Sequence, residues 1–284
     1  MRMEPGKIQI LHLLDGARKA EGLTVIIDVF RAFSVECYLY SLGAGRVRPV
    51  GTIEEARELH EKIPGSILVG ERQGIRCEGF DYGNSPSSLQ EEAVRGRVAI
   101  HTTSAGTQGI VNAWGASEIL TGSLVNARSI AKYILSRNPE KVSLVAMGLS
   151  AERSAAEDEL CAEYIRALLL NDDFCRSVQK DLVPNTTTPD ATADRNLTDA
   201  TAGRNLTDAM ADRNSAPTAE QVLPGFEARR QDLRNQDGKR FFRPELQEDF
   251  PEQDYWMCID YDQFPFVLRI GHDDLGYYSY KINV

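Results

Sequence analysis

No cysteine pair, no long apolar run and no excess of positive charge marks this chain of 284 residues, and each absence removes a class of function. The five cysteines, Cys37, Cys77, Cys161, Cys175 and Cys258, are odd in number and scattered without a Cys-x-x-Cys pair, so a reduced, cytoplasmic protein is expected. Met1 to Lys7 leads only into the short apolar stretch Ile8 to Leu14, which ends at Asp15, so no secretory leader is expected. Nothing approaches the roughly 18 consecutive apolar residues of a membrane span. A net charge of −10 leaves no basic patch to offset phosphate repulsion, so neither nucleic acid nor membrane is an expected partner. The same acidity leaves room for a small anionic substrate, because a few local arginines decide that.

Several phosphate chemistries are missing as well. No cysteine is followed six positions later by arginine, as a cysteine phosphatase loop requires, and there is no Gly-x-x-x-x-Gly-Lys loop for a nucleotide. Asp28 has Phe30, not a second aspartate, two residues on, which removes a haloacid-dehalogenase-type site; Asp260-Tyr261-Asp262 has that spacing but lies too near the C-terminus to lead such a domain.

What is present is an alternation of short apolar runs with longer amphipathic stretches from Ile8 to about Leu170, the α/β pattern. Leu23 to Ile27, Ser66 to Val69, Arg97 to Ile100 and Val142 to Met147 read as buried strands. Helices are expected over Val29 to Ser41, after the capping box Thr52-Ile53-Glu54-Glu55, over Thr107 to Trp114, over Val125 to Leu135 and over Ala155 to Leu170. Between about 184 and 217 the composition turns to Thr, Asp, Ala, Arg and Asn with a nine-residue recurrence, Asp190, Asp199 and Asp208. Only Gly203 supplies a glycine there, too few for a calcium-binding β-roll, so a disordered insertion or short surface helix is expected. Beyond it, Phe241 to Pro251 reads as loop, Tyr255 to Ile259 and Phe264 to Ile270 as strands, and Gly271 to Asp274 as a turn that helps complete a single domain.

Three polar clusters directly follow apolar runs: Asp28-Val29-Phe30-Arg31; Gly70-Glu71-Arg72 with Gly79 to Pro86; and Thr102 to Thr107. In open α/β sheets ligands collect beyond the carboxyl ends of strands, so the clusters are expected to form one site. Each has a plainer reading: Asp28 as a helix N-cap, Glu71 and Arg72 as a solvated ion pair, Asp81 and Asn84 as turn formers, Thr102, Thr103, Ser104 and Thr107 as caps. Together they point to metal-assisted chemistry on a phosphate-like group. Asp28, Glu71 and Asp81 would hold a cation, with Asp158 as an outer ligand from the Glu157-Asp158 pair. Arg31 and Arg72 would grip phosphate or acid oxygens. Asn84 and Ser85 would line the substrate, and the hydroxyls and amides from Thr102 through Gly106 to Thr107 would form a phosphate nest. His101 borders the third cluster and suits a supporting place better than that of a catalytic base.

On Ile27-Asp28-Val29-Phe30-Arg31-Ala32, Gly70-Glu71-Arg72, Gly79-Phe80-Asp81-Tyr82-Gly83-Asn84-Ser85-Pro86, Gly122 to Ala127 and Glu157-Asp158, the chain resembles the 2-phosphosulfolactate phosphatase family, called ComB after its place in coenzyme M synthesis. The resemblance implies a three-layer α/β/α sandwich around a mostly parallel or mixed sheet and a magnesium-dependent phosphomonoester hydrolase. It departs from the family pattern at Phe33 and at Ser104-Ala105, which leaves open a phosphatase for another phospho-2-hydroxy acid or a non-catalytic anion-binding homologue. Attack by water and direct attack by Asp28 both fit, and the oligomeric state stays open.

Overall fold

The computed structural model describes residues 2–182 and 216–284, and all but the end of the nine-residue repeat at 184–217 lies outside the described residues. Ten strands form one sheet: β1 (Ile8–His12), β2 (Gly22–Ile27), β3 (Arg46–Pro49), β4 (Ile67–Arg72), β5 (Ile75–Arg76), β6 (Val98–Thr102), β7 (Ala116–Gly122), β8 (Val142–Ala146), β9 (Phe266–Asp273) and β10 (Gly276–Asn283), in the order β1-β8-β2-β7-β9-β10-β3-β6-β4-β5. Between them lie α1 (Leu13–Lys19), α2 (Ala32–Ser41), α3 (Ile53–Lys62), α4 (Glu91–Val94), α5 (Gly106–Asn112), α6 (Ala127–Arg137), α7 (Ala156–Leu170) and α8 (Asp172–Leu182). Three more helices, α9 (Ala219–Val222), α10 (Phe226–Asp232) and α11 (Glu252–Ile259), precede the last two strands.

Strand side chains alternate between faces, and here both faces are covered. Leu23, Val25 and Ile27 of β2 join a cluster with Ile130 of α6 and Ile165 of α7, whereas Ile26 joins Ala17 of α1, Phe33 of α2 and Ile110 of α5. Across the sheet, Ile67 and Val69 of β4 meet Val35 and Leu39 of α2, while Leu68 meets Ala56 and Leu59 of α3. The expected three-layer α/β/α arrangement around a mixed sheet is therefore what the chain builds. Thr52 and Glu55 form the expected capping box at the start of α3.

The sheet consists of two parallel blocks, β1-β8-β2-β7 and β3-β6-β4, joined by the antiparallel β9–β10 hairpin. The hairpin pairs fully within itself, but it meets β7 through two residue pairs and β3 through one. Two expectations fail here. Tyr255 to Ile259 is helical within α11, not a strand, and β9 runs on to Asp273, through most of the expected turn. In α11 the buried residues are Asp254, Tyr255, Cys258 and Ile259, a helical spacing that a short apolar run conceals.

One buried carboxyl lies between α2 and the sheet, away from the strand ends. Glu36 of α2 accepts a hydrogen bond from Ser279 Oγ at 2.5 Å, and the Thr121 hydroxyl stands beside its carboxyl. Burial pushes this carboxyl up to about 7, so the folded protein keeps its proton over a range where the unfolded chain has lost it. The stabilisation is full below the usual carboxylate value near 4.5 and is lost as pH rises through about 7. Glu36→Gln should therefore gain on the wild type by up to about 3 kcal/mol between acid and neutral pH. Urea midpoints of both proteins from pH 5 to 8 check this; a constant difference across that range would refute it.

Candidate functional site

Asp28 follows β2 and is only 6% exposed. Its carboxylate accepts a 3.2 Å bond from Ala32 N and another from Gly106 N, so the first turns of α2 and α5 both close on it. A Cβ on Gly106 would stand 3.0 Å from Asp28 Oδ2, Ala32 Cβ and Phe33 Cζ alike. A β-carbon there would press on all three, so a residue without a side chain suits this close approach. Burial raises the Asp28 carboxyl to about 6, against the bond from Ala32 and with a contribution from the charge of Glu71.

Glu71 and Arg72 are the last residues of β4 itself. Glu71 Oε1 accepts from Ser104 N at 2.7 Å, and Oε2 accepts from Gly74 N at 2.5 Å and Ser104 Oγ at 3.1 Å. Thr103 N donates to Thr107 Oγ1 at 3.1 Å and Thr107 N to Thr103 Oγ1 at 3.2 Å. The amides expected to form an open phosphate nest are thus taken by side chains: Thr103, Ser104, Gly106 and Thr107 all donate within the protein. Local hydroxyl-to-backbone bonds compete with a ligand for such amides, which is the physical reason for the difference. Thr102 Oγ1 accepts from Arg72 Nη2 at 2.9 Å, and Arg72 also donates to the Glu71 and Gly51 carbonyls.

Arg31 follows a cis peptide from Phe30 and is 3% exposed. Its guanidinium donates to Asp254 Oδ2 at 2.7 Å, to the Asp249 carbonyl at 2.7 Å and to the Gly74 carbonyl at 3.2 Å, and lies 4.6 Å from the Phe250 ring centre. Asp254, fully buried on α11, also accepts from Ser85 Oγ, Ser87 N and Ser87 Oγ. Arg31 and Arg72 both stand at strand ends as expected, with their forks engaged by protein acceptors.

A second group of residues faces Asp28 from the α7 side. Asp158 braces two strand ends, its Oδ1 accepting from Val29 N and its Oδ2 from Gly148 N, both at 2.8 Å. Burial, then the charges of Asp28 and Glu157, holds its carboxyl well above the usual range. Glu157, 3% exposed, is pushed up to about 7 by burial, and its Oε2 has no hydrogen-bond partner. Arg240, on the 3-10 turn Asp237–Phe242, interacts electrostatically with both Glu157 and Asp28. Neither Arg240 nor Asp254 follows an apolar strand, so strand-end reasoning had no means to find them. Glu157 was visible only as the neighbour of Asp158.

The four carboxylates expected around a cation do not assemble as a set. Asp81 is exposed, and its Oδ2 accepts from Leu68 N at 2.8 Å, near the opposite end of β4 from Glu71 and roughly 10 Å from it by strand rise. Both Asp158 oxygens are committed to backbone. Among the described residues no three His, Cys, Asp or Glu side chains converge as a ready-made metal cage. Asn84 and Ser85 are buried behind the site: Asn84 Oδ1 lies 3.3 Å from His101 Nε2, and Ser85 binds Asp254. Burial lowers His101 to about 4, so it stays neutral and supports the turn.

Removing the carboxylate beneath Arg31 tests this framework. Asp254→Ala leaves a buried guanidinium and two serines without their acceptor, and should destabilise the fold by about 3–5 kcal/mol. Urea denaturation measures the loss; a change under about 1 kcal/mol would mean that Arg31 does not depend on Asp254.

Residues 9–216 match the 2-phosphosulpholactate phosphatase family. Among curated relatives, proteins named "Probable 2-phosphosulfolactate phosphatase" from Caldicellulosiruptor saccharolyticus, Carboxydothermus hydrogenoformans and Clostridium acetobutylicum are 38%, 37% and 40% identical to this chain. Those matches cover 53%, 57% and 50% of this chain and 63%, 67% and 60% of the respective relatives. The chain thus spans about two thirds of the length of the relatives it matches. With the family match extending over β2, β4, β6 and α7, whose ends carry Asp28, Glu71, Thr102 and Asp158, the chain belongs to the 2-phosphosulpholactate phosphatase family.

Proposed function

We propose that the protein is a phosphomonoester hydrolase for a small acidic phosphate ester, converting 2-phosphosulfolactate, or a closely related phospho-2-hydroxy acid, to the hydroxy acid and phosphate. The observation that carries this reading is the buried Asp28 carboxylate at the end of β2, held by Ala32 and Gly106 and facing Glu71, Glu157 and Arg240. Carboxylates beside a cationic group at a strand-end crevice suit phosphoryl chemistry, where catalysis is chiefly positioning and charge stabilisation.

Magnesium fits this arrangement with fewer protein ligands than were expected. It is satisfied by one or two carboxylates, several waters and substrate oxygens. Asp28 would hold it, and Glu71, whose oxygens are engaged by Ser104 and Gly74, would add its negative charge beside the cation. When bound, the cation would polarise the phosphoryl group and neutralise its developing charge.

The chain's own residues supply the rest. Asp28 orients water in line with the ester bond; as the new P–O bond forms, the bond to the ester oxygen breaks and the hydroxy acid leaves with a proton. Glu71 fixes the Ser104 turn through backbone and hydroxyl, and so keeps Gly106 against Asp28. Asp158 ties the chain after β2 to the chain after β8, which sets where the Asp28 backbone stands. Arg31 positions the same segment from beneath through Asp254. Direct attack by Asp28 would instead leave an acyl phosphate that mass spectrometry can trap.

Phosphate release from 2-phosphosulfolactate, 2-phospholactate, glycerol phosphate and p-nitrophenyl phosphate tests the proposal. The acidic esters should be preferred, a chelator should abolish release and added magnesium restore it, and Asp28→Asn should lower kcat by at least about a hundredfold. A folded wild-type protein that releases no phosphate from any of them with magnesium present would be an anion-binding homologue without turnover.

A further inference from the structure

A cleft of about 600 Å³ opens between the N-terminal end of α7 and the turn Asp237–Phe242, lined by Arg153, Glu159, Gln236, Asp237 and Lys239 among others. Arg153 and Asp237 form a 2.6 Å ion pair at its rim. Arg240 follows the lining residue Lys239, and Glu157 follows the lining residue Ala156. Both present an enclosed polar atom without a hydrogen-bond partner, Nε of Arg240 and Oε2 of Glu157.

The three arginines near the chemistry differ in what occupies them. Arg31 donates at 2.7 Å to a carboxylate and a carbonyl, and Arg72 donates at 2.7 Å and 2.9 Å to a carbonyl and a hydroxyl. Arg240 makes one long bond, 3.4 Å from Nη2 to the Phe30 carbonyl. Its guanidinium instead stands 5.4 Å and 5.2 Å from the ring centres of Phe241 and Phe250, faces that hold a fork in place without consuming its donors. An enclosed guanidinium with an unspent N–H is costly unless a ligand completes it.

Asp28 is flanked by Gly106 and Glu71 from one set of elements and by Arg240 and Glu157 from another. On the proposed phosphatase reading, the phosphoryl group would lie at the cation held by Asp28. In a phospho-2-hydroxy acid the carboxylate is borne by the carbon that carries the ester oxygen, so a second anion must lie within a few bond lengths of the phosphorus.

We infer that Arg240, from the turn Asp237–Phe242, binds the second acidic group of the substrate, its carboxylate or sulfonate, on the Glu157 side of Asp28, and so sets the preference for acidic esters. The inference rests on the proposed phosphatase reading for its substrate class. Arg240 lies beyond the 9–216 span of the family match. A carboxylate or sulfonate fits the free edge of a guanidinium, which a lysine ammonium does not reproduce.

The test is calorimetric titration of wild type, Arg240→Gln and Arg240→Lys with 3-sulfolactate and, separately, with inorganic phosphate, alongside kcat/KM for 2-phospholactate and p-nitrophenyl phosphate. Unchanged circular dichroism and thermal midpoint would establish that each variant folds; Arg240→Lys, which keeps the charge, stands in should Arg240→Gln fail. Both variants should lose at least about tenfold in 3-sulfolactate affinity while phosphate affinity shifts less than about threefold, and the preference for 2-phospholactate should fall at least about tenfold. Equal losses for both anions would make Arg240 a phosphoryl ligand and overturn the inference, as would unchanged 3-sulfolactate binding or a wild type that binds no 3-sulfolactate. Arg240-dependent 3-sulfolactate binding without hydrolysis of any ester would uphold the subsite and reject the phosphatase reading.

Discussion

Three carboxyl groups, Asp28, Glu157 and Asp158, are buried within electrostatic reach of one another where the chain leaves β2 and enters α7. Like charges in such surroundings repel more strongly than in water, and each would protonate or expel its neighbour without compensation. The compensation comes from fixed dipoles and one cationic group. Asp158 receives two backbone N–H bonds, Asp28 two more, and the Arg240 charge is felt by both Asp28 and Glu157. These bonds account for the placement of Val29, Gly148, Ala32 and Gly106, which is to say the mutual arrangement of β2, β8, α2 and α5.

That arrangement carries extra weight because the strand ladder joining the two halves of the sheet is short. The hairpin is in register with β7 through two residue pairs and with β3 through one, and side chains crossing between the blocks add to what holds them. Gly106, just after β6, packs on Asp28, and Gly74, just after β4, accepts from Arg31. Gly74 adopts φ +85°, and a Cβ there would fall 2.1 Å from Phe250 Cζ. The Arg31 side chain, the Phe250 ring and this turn therefore pack as a unit in which no larger residue can replace the glycine.

The parts of this molecule that depend on local sequence were legible. The β-branched run from Leu23 to Ile27, the capping box at Thr52 and the long pattern of α7 each specify their element within a few residues, and the strand ends did bring Asp28, Glu71 and the Thr102–Thr107 turn together. What stayed hidden is non-local. Arg240 and Asp254 are separated from Arg31 by more than two hundred positions, and no periodicity signals that a turn and a short helix will close over the strand ends. Asp81 misled because its turn folds back along β4, where Tyr82 bridges Val69 and the aspartate caps the Leu68 amide. The hydroxyl-rich turn misled in a related way: its composition signals many amides near a strand end, but the same hydroxyls and Glu71 satisfy them first.

The division between legible and hidden residues has a physical basis. Residues that organise backbone at a strand end must sit within a turn of that strand, so sequence order reveals them. Residues that close a site against water are free to come from any segment able to pack there. Here the closing segment brings Phe241, Phe250 and Tyr255, with Phe30 lying 5.1 Å from Phe241 and 5.7 Å from Tyr255 between ring centres. This aromatic wall excludes water from Arg31 and Asp254 and lowers the local dielectric in which Asp28 sits. The same burial that makes unpaired carboxylates costly makes any cationic or hydrogen-bonding complement correspondingly effective.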